Sequence, residues 1–225
     1  MVQTIAIIGS SMIGESVARL AVAAGYNVII SNSRGPETLT GRADRLGPRV
    51  RAATSVDAIR GGDIIVAAVP FSAYEQLPAD ELAGEIVIDT TNYYPMRDGA
   101  HPEVQEAAIT TSELVQRHLK DSKVVKALNN QDFMHLLLNA APEADPERTT
   151  LPIAGDDAAA KEAIIESLST LVFDALDIGP LAESWRSEPN TQLDVHRYVP
   201  DLPAGCMSNT SISRRTSAAD SNRNL

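Results

Sequence analysis

Two short runs of residues in this chain carry anion-binding chemistry. The first is Gly9-Ser10-Ser11-Met12-Ile13-Gly14, which directly follows the β-branched stretch Thr4-Ile5-Ala6-Ile7-Ile8. A glycine ahead of two serines lets the backbone turn sharply, and a glycine at the end permits close approach of a following helix to the strand. If a helix opens at this turn, its free N–H groups and the positive end of its dipole face an anion such as a pyrophosphate. The spacing is GxSxxG, with Ser11 where the middle glycine of a dinucleotide fingerprint usually stands. A serine is small and can donate to a phosphate oxygen, so the site is read as a variation on that fingerprint. The second run is Ser31-Asn32-Ser33-Arg34. In an NAD site an acid about 20 residues past the glycines holds the ribose 2′-hydroxyl. Here a hydroxyl and a guanidinium stand there. A 2′-phosphate needs donors, a guanidinium supplies several in a planar fork, and a carboxylate would repel it. The reading is NADP, with Ser33 and Arg34 on the 2′-phosphate and Asn32 and Arg42 as helpers. The plainer alternatives are an ordinary strand-to-helix turn at Gly9–Gly14, and a loop at Ser33–Pro36 in which Gly35 and Pro36 open a helix.

Such residues act only if regular elements aim them. Thr4–Ile8 reads as a strand, and Ile13, Val17, Leu20, Ala21 and Ala24 form one apolar helix face after it. Asn27–Ile30 is the next strand, after a stop at Gly25. Val50–Ala53 is a short third strand, followed by a helix over Ser55–Arg60 with Ser55 as its N-cap. Asp63–Val69 is apolar after its first residue, as for a strand covered on both faces, and ends at Pro70. Further strands are read at Glu85–Asp89, Lys123–Leu128, Thr150–Ala154 and Val172–Ile178, with helices at Thr111–Leu119 and Ala158–Leu171. Asp156 and Asp157 open that last helix and read as capping residues, with Asp157–Lys161 an i,i+4 pair. The rhythm predicts an α/β fold: a doubly wound, mostly parallel Rossmann sheet between helices, three layers deep.

In such a sheet ligands lie at the carboxyl ends of the strands. The loops there are Val69-Pro70-Phe71-Ser72, Asp89-Thr90-Thr91-Asn92-Tyr93-Tyr94-Pro95 and Asn129-Asn130-Gln131-Asp132. They are rich in amides, hydroxyls and rings, which suits a nicotinamide and a planar acceptor. Pro70 and Phe71 are read as walls for the ring. Asn92, Asn129 and Asn130 are read as holders of its carboxamide or of the acceptor's polar groups. Tyr93 and Tyr94 would stack on a second ring or donate a hydrogen bond. Each also has a structural reading: Asn and Asp are common turn residues, and Tyr-Tyr-Pro can anchor a loop.

The chain has 225 residues and a formal net charge of -11. That charge disfavours nonspecific binding to nucleic acid or to an anionic membrane. Its single cysteine, Cys206, excludes an internal disulfide. The four histidines show no metal-ligand spacing, so no metal is expected. No leader and no membrane-spanning run is read, and the expected location is cytoplasmic. From about Gly205 the residues turn polar, so 1–204 is expected to form the NADP-binding domain with the acceptor site, and 205–225 a disordered tail.

The segments GSSMIGESVARLAVAAG, SNSRGPETL, VAAVPFSAY, VIDTTNYYP, KALNNQDF and LPIAGDDAAAKEAI with FDALDIGPLAESW, in that order, resemble the NADPH-dependent deazaflavin-coenzyme reductases. The likeness runs from Thr4 to about Trp185. It implies a Rossmann domain, NADP at the glycine loop, and hydride transfer between nicotinamide and deazaflavin, usually in a homodimer. It assigns Gly9, Ser10, Met12, Ile13 and Gly14 to the phosphate loop, Ser33 and Arg34 to the 2′-phosphate, and Val69, Pro70 and Phe71 to the loop beside the nicotinamide. Asn129 falls where such reductases commonly carry a histidine near the deazaflavin. The chain departs from the family at Ser11, at Asn129 and beyond Trp185.

Three functions follow as expectations. The first is an NADP-dependent oxidoreductase acting on a deazaflavin or flavin-like coenzyme. The second is a reductase of a small imine, carbonyl or flavin substrate, for which Tyr93 or Tyr94 would give the proton. The third is an NADP-binding redox sensor without turnover.

Overall fold

The computed structural model describes residues 3–142, 145, 148–191 and 193–194. The polar stretch from Gly205, with Cys206, lies outside the described residues. Eight strands form the sheet: β1 (Thr4–Ile8), β2 (Asn27–Ser31), β3 (Val50–Ala52), β4 (Ile64–Ala67), β5 (Ile86–Asp89), β6 (Lys123–Lys126), β7 (Thr150–Gly155) and β8 (Asp174–Asp177). Their order is β3-β2-β1-β4-β5-β6-β7-β8. Pairing is parallel from β3 through β6, antiparallel between β6 and β7, and parallel again between β7 and β8. This is the doubly wound, mostly parallel Rossmann-like sheet that the sequence predicts.

The period-2 alternation of a strand puts its side chains on two sheets of core. Ile5 and Ile7 of β1 face one cluster, with Val28, Ile30 and Val66. Ala6 and Ile8 face the other, with Ile29, Ile65 and Ala67. On the first face lie α1 (Met12–Ala23), whose Val17, Ala18 and Ala21 are fully buried, and later α8 (Ala158–Thr170). Between them in sequence come α2 (Thr40–Leu46) and α3 (Ser55–Gly61), the latter on the second face through Ala58 and Ile59. Two single-turn helices, α4 (Pro95–Asp98) and α5 (Pro102–Gln105), precede α6 (Thr111–His118). Leu114 and Val115 of α6 close the second face. α7 (Phe133–Leu138) packs beside α1, tied to it by the Ser16 hydroxyl donating to the Phe133 carbonyl at 2.7 Å.

Several local expectations change. Thr54, not Ser55, caps α3: its hydroxyl accepts from the Asp57 N–H, because the extended residue lies one place earlier. Asp157 does cap α8, accepting from the Ala160 N–H at 2.7 Å. The expected Asp157–Lys161 pair does not form, since Lys161 reaches Asp177 on β8 at 2.8 Å instead. The helix that opens at Pro36, with Gly35 as its N-cap, is a short 3-10 helix over Pro36–Thr38 rather than an α-helix.

Candidate active site

The site is built around the turn after β1. Gly9 has φ of +109°, and a Cβ there would lie 2.2 Å from the carbonyl oxygen of Ala68. The turn therefore runs against the end of β4, where only a glycine fits. A Cβ on Gly14 would come within 2.8 Å of the Gly9 carbonyl oxygen, so the second glycine lets α1 start tight on the turn. Ser11 caps the helix; its hydroxyl oxygen accepts from the Gly14 N–H at 3.2 Å and keeps its own proton to donate. The backbone N–H groups of Ser10, Ser11, Met12 and Ile13 take no partner among the described residues. Bare donors at the head of a twelve-residue helix form an anion cradle.

Two chambers meet at this turn. The first, about 510 Å³, is lined by Gly9, Ser10, Ser11, Asn32, Ser33 and Arg34, and closed opposite by Thr54–Val56, Ala73 and Gln76–Pro78. Asn32 shapes its rim: the side-chain oxygen accepts from the Arg34 N–H at 2.9 Å, and the amide nitrogen donates to Thr38 at 3.0 Å. Ser33 and Arg34 are exposed, and among the described residues the guanidinium of Arg34 has no hydrogen-bond or ionic partner. Arg42 is occupied otherwise, donating to the Ser10 carbonyl at 2.6 Å and lying 3.5 Å from Glu15. It braces the phosphate loop rather than offering a free fork. Bare helix N–H groups, a free guanidinium and hydroxyls in one chamber are the donor set that a phosphorylated dinucleotide needs.

The second chamber, about 330 Å³, shares Ser11, Ala68, Val69 and Pro70 with the first. Met12, Ile13, Thr90, Asn92, Tyr94, Arg97, Asn129 and Asp132 complete much of its wall. Asn92 and Asn129 face each other as a reciprocal amide pair. The Asn129 amide donates to the Asn92 side-chain oxygen at 3.1 Å, and the Asn92 amide donates to the Asn129 carbonyl at 2.8 Å. The structure separates the two tyrosines. Tyr94 borders the chamber, under the Arg97 guanidinium at 4.9 Å. Tyr93 points into the second core, its hydroxyl donating to the Gly99 carbonyl at 2.7 Å. Phe71 is likewise drawn behind the wall, fully buried and stacked 5.0 Å from Tyr74 and edge-on to Tyr93 at 5.6 Å. Val69 and Pro70 stay on the surface of both chambers. Asn130 is buried and donates to the Leu193 carbonyl at 3.0 Å.

Charges around the second chamber are internally matched. Asp98 accepts both forks of Arg97, at 2.8 Å each, and the N–H groups of Tyr94 and Ser72. Burial raises the carboxyl's pKa, but the Arg97 bond and those N–H groups outweigh it and hold it below the usual range. Asp132, the cap of α7, is also lowered: burial opposes, while the backbone and ring of His135 and the N–H of Met134 prevail. Arg97 carries no sequence signal beyond being a basic residue in a loop. The Thr54–Val56 wall does have one, since it follows a parallel strand at its carboxyl end. Among the described residues no cluster of three or more His, Cys, Asp or Glu is placed to hold a metal, and no helix is long and apolar enough to cross a membrane.

Comparison with known proteins agrees with the resemblance read from the motifs. Residues 4–93 match the model of the family described as NADP oxidoreductase, coenzyme F420-dependent. The comparison with curated proteins gives no match. Among solved structures, a hypothetical protein from Sinorhizobium meliloti shares 29% identity over 88% of this chain and 96% of its own, with a TM-score of 0.77. A protein from Arthrobacter sp. FB24, provisionally described as an F420-dependent NADP-reductase, shares 25% identity over 81% of this chain and 86% of its own, with a TM-score of 0.67. The 3-hydroxyisobutyrate dehydrogenase of Mycobacterium tuberculosis shares the fold at 15% identity, over 81% of this chain and 56% of its own, with a TM-score of 0.59. The family match and the Arthrobacter protein support an NADP-dependent oxidoreductase, and the dehydrogenase shows the Rossmann-like fold alone.

Proposed function

We propose that this chain transfers a hydride between NADP(H) and a deazaflavin or flavin-like coenzyme. One observation carries the reading: a chamber with a free guanidinium and bare helix N–H groups shares the wall Ser11, Ala68, Val69 and Pro70 with a second chamber lined by amides and a ring. Gly9, Ser10, Ser11, Met12, Ile13 and Gly14 would hold the pyrophosphate, and Ser33 and Arg34 the 2′-phosphate. Val69 and Pro70 would flank the nicotinamide, and Asn92 with Asn129 would meet its carboxamide or the acceptor's edge. The reduced nicotinamide, when bound, supplies the hydride. The residues' share of the chemistry is positioning and exclusion of water, which is most of what a transfer between two preformed rings asks of a protein.

A small imine or carbonyl acceptor would need a proton donor at the second chamber. Tyr94 borders that chamber, whereas the Tyr93 hydroxyl is engaged by Gly99. The deciding experiment is turnover by the purified protein with NADPH and a panel of acceptors: a deazaflavin, free flavins, cyclic imines and small ketones. Deazaflavin or flavin reduction without turnover of the others bears the proposal out. Turnover of imines or ketones alone replaces it with the second reading, and tight NADPH binding with no oxidation by any acceptor replaces it with a sensor. The proposal carries a homodimer with it, checked by sedimentation.

A further inference from the structure

We infer that Lys126 is a positioning residue for the second chamber, gripping from beneath the two loops that carry Asn92 and Asn129. The inference rests on the proposed hydride transfer between the two chambers. Lys126 ends β6 and has 0% exposure, paired at 3.2 Å with Asp89, also at 0%, at the end of the neighbouring β5. An apolar side chain of similar length would fill the same space without the desolvation cost of an ion pair. What it could not do is donate hydrogen bonds.

The ammonium has three donors and meets three oxygens: the Thr91 carbonyl, the Asp89 carboxylate, and the Thr111 hydroxyl at 3.4 Å. Asp89 in turn accepts from the Thr91 N–H at 2.8 Å and from the Ser112 hydroxyl at 2.7 Å. Thr91 is thus held at both ends of its backbone. Its neighbours Thr90 and Asn92 line the chamber.

The same lysine reaches the opposite loop through Thr111. The N–H and hydroxyl of Thr111 both donate to Glu188, at 3.1 and 2.7 Å. Glu188 follows Ser187, whose carbonyl accepts from the Asn129 amide at 2.7 Å. The Asn129–Asn92 pair then returns the chain of bonds to the residue after Thr91. The circuit is closed, with Lys126 at its base and the two asparagines at the chamber wall. In a low-dielectric interior each of these bonds is strengthened, and loss of one member leaves the others short of partners. Neither Lys126, Asp89 nor Thr111 lines the chamber, so their action passes through Asn92 and Asn129.

The test uses the full chain with Lys126→Met, and with Lys126→Met combined with Asp89→Asn, which leaves no unpaired buried carboxylate if the single variant folds poorly. Three quantities are read: the NADPH dissociation constant, kcat and KM for the deazaflavin acceptor, and the side-chain amide signals of Asn92 and Asn129 in nitrogen-edited NMR without any ligand. Displacement of a holding group by about 1 Å costs on the order of a hundredfold in rate. The expected result is a roughly ten- to hundredfold fall in acceptor kcat/KM, NADPH affinity within about threefold of wild type, and displaced or broadened signals for both asparagines. Unchanged amide signals with acceptor kinetics within about threefold overturn the inference. A matching loss of NADPH affinity in the folded double variant that comes with a displaced side-chain amide signal at Asn32, in the first chamber, also overturns it, by making the effect general loosening. If the wild-type chain turns over no acceptor, the functional reading alone fails, and the amide signals still decide on Lys126.

Discussion

At the scale of single residues the 2′-phosphate claim rests on Arg34. Its guanidinium is exposed on the first chamber and unpaired among the described residues, so a phosphate would be its partner. A charged hydrogen bond contributes about 1.5–3 kcal/mol, so Arg34→Ala is expected to weaken NADPH binding roughly tenfold to a hundredfold and NADH binding little. Calorimetry with both nucleotides checks it; equal weakening would reject the 2′-phosphate role. The tyrosines give a second contrast. Tyr93→Phe loses a bond to the Gly99 carbonyl and should cost on the order of 1 kcal/mol in stability with turnover kept, since its hydroxyl serves the core. Tyr94→Phe keeps stability and tests whether any acceptor draws a proton from that side of the chamber. The glycines and Ser33–Arg34 were legible because their types are tied to backbone and anion chemistry. The split between Tyr93 and Tyr94 was not, because adjacent residues at a loop's start diverge according to what each can pack against. Lys126 was hidden for a similar reason: a lysine at a strand's end reads as solvent-facing until the neighbouring strand supplies Asp89.

At the scale of elements, the turn and α1 act as one unit. Gly9→Ala would set a Cβ on the Ala68 carbonyl in a backbone region hostile to side chains, so a disruption of both stability and NADPH binding is expected, measured by thermal unfolding and titration. The loop around α4 has an acid-sensitive anchor. Asp98 titrates below its unfolded value, so its contribution to stability is present above that value, about 3.9, and is lost as pH falls through it toward the lower native one. The difference in Tm between wild type and Asp98→Asn should therefore be full at neutral pH and close below about pH 4. A gap that persisted unchanged at pH 3 would refute this. Strand positions were legible because β-branched runs bounded by Gly and Pro have few other uses. The reversal of β7 was not. A strand's direction depends on the connection before it, and among the described residues of the segment from α7 to β7 there is no helix long enough to cross a sheet layer and return the chain parallel.

At the scale of the whole molecule, the parallel sheet explains why residues far apart in sequence meet. β1, β2, β4, β5 and β6 all end on one edge, which brings Gly9, Arg34, Pro70, Asn92 and Asn129 around one turn. Ligand binding should then stabilise the entire fold. With NADPH at about a hundred times its dissociation constant the gain is about 2.7 kcal/mol, or a rise in Tm of roughly 5–10 °C for a chain of this size, and NADH at equal concentration should give much less. Differential scanning fluorimetry reads both. The net charge of -11 repels anionic nucleotides at long range, so Arg34 and the helix head act as a local positive spot in an acidic field.

The partition Ser11–Ala68–Val69–Pro70 belongs to both chambers at once. Occupants on its two sides cannot ignore each other: whichever enters first stiffens the wall against which the second must lie. Steady-state kinetics should then display mutual synergy, the apparent affinity for each molecule rising as the other saturates, and an inert analogue of either molecule should report that interdependence as a change in the other's grip.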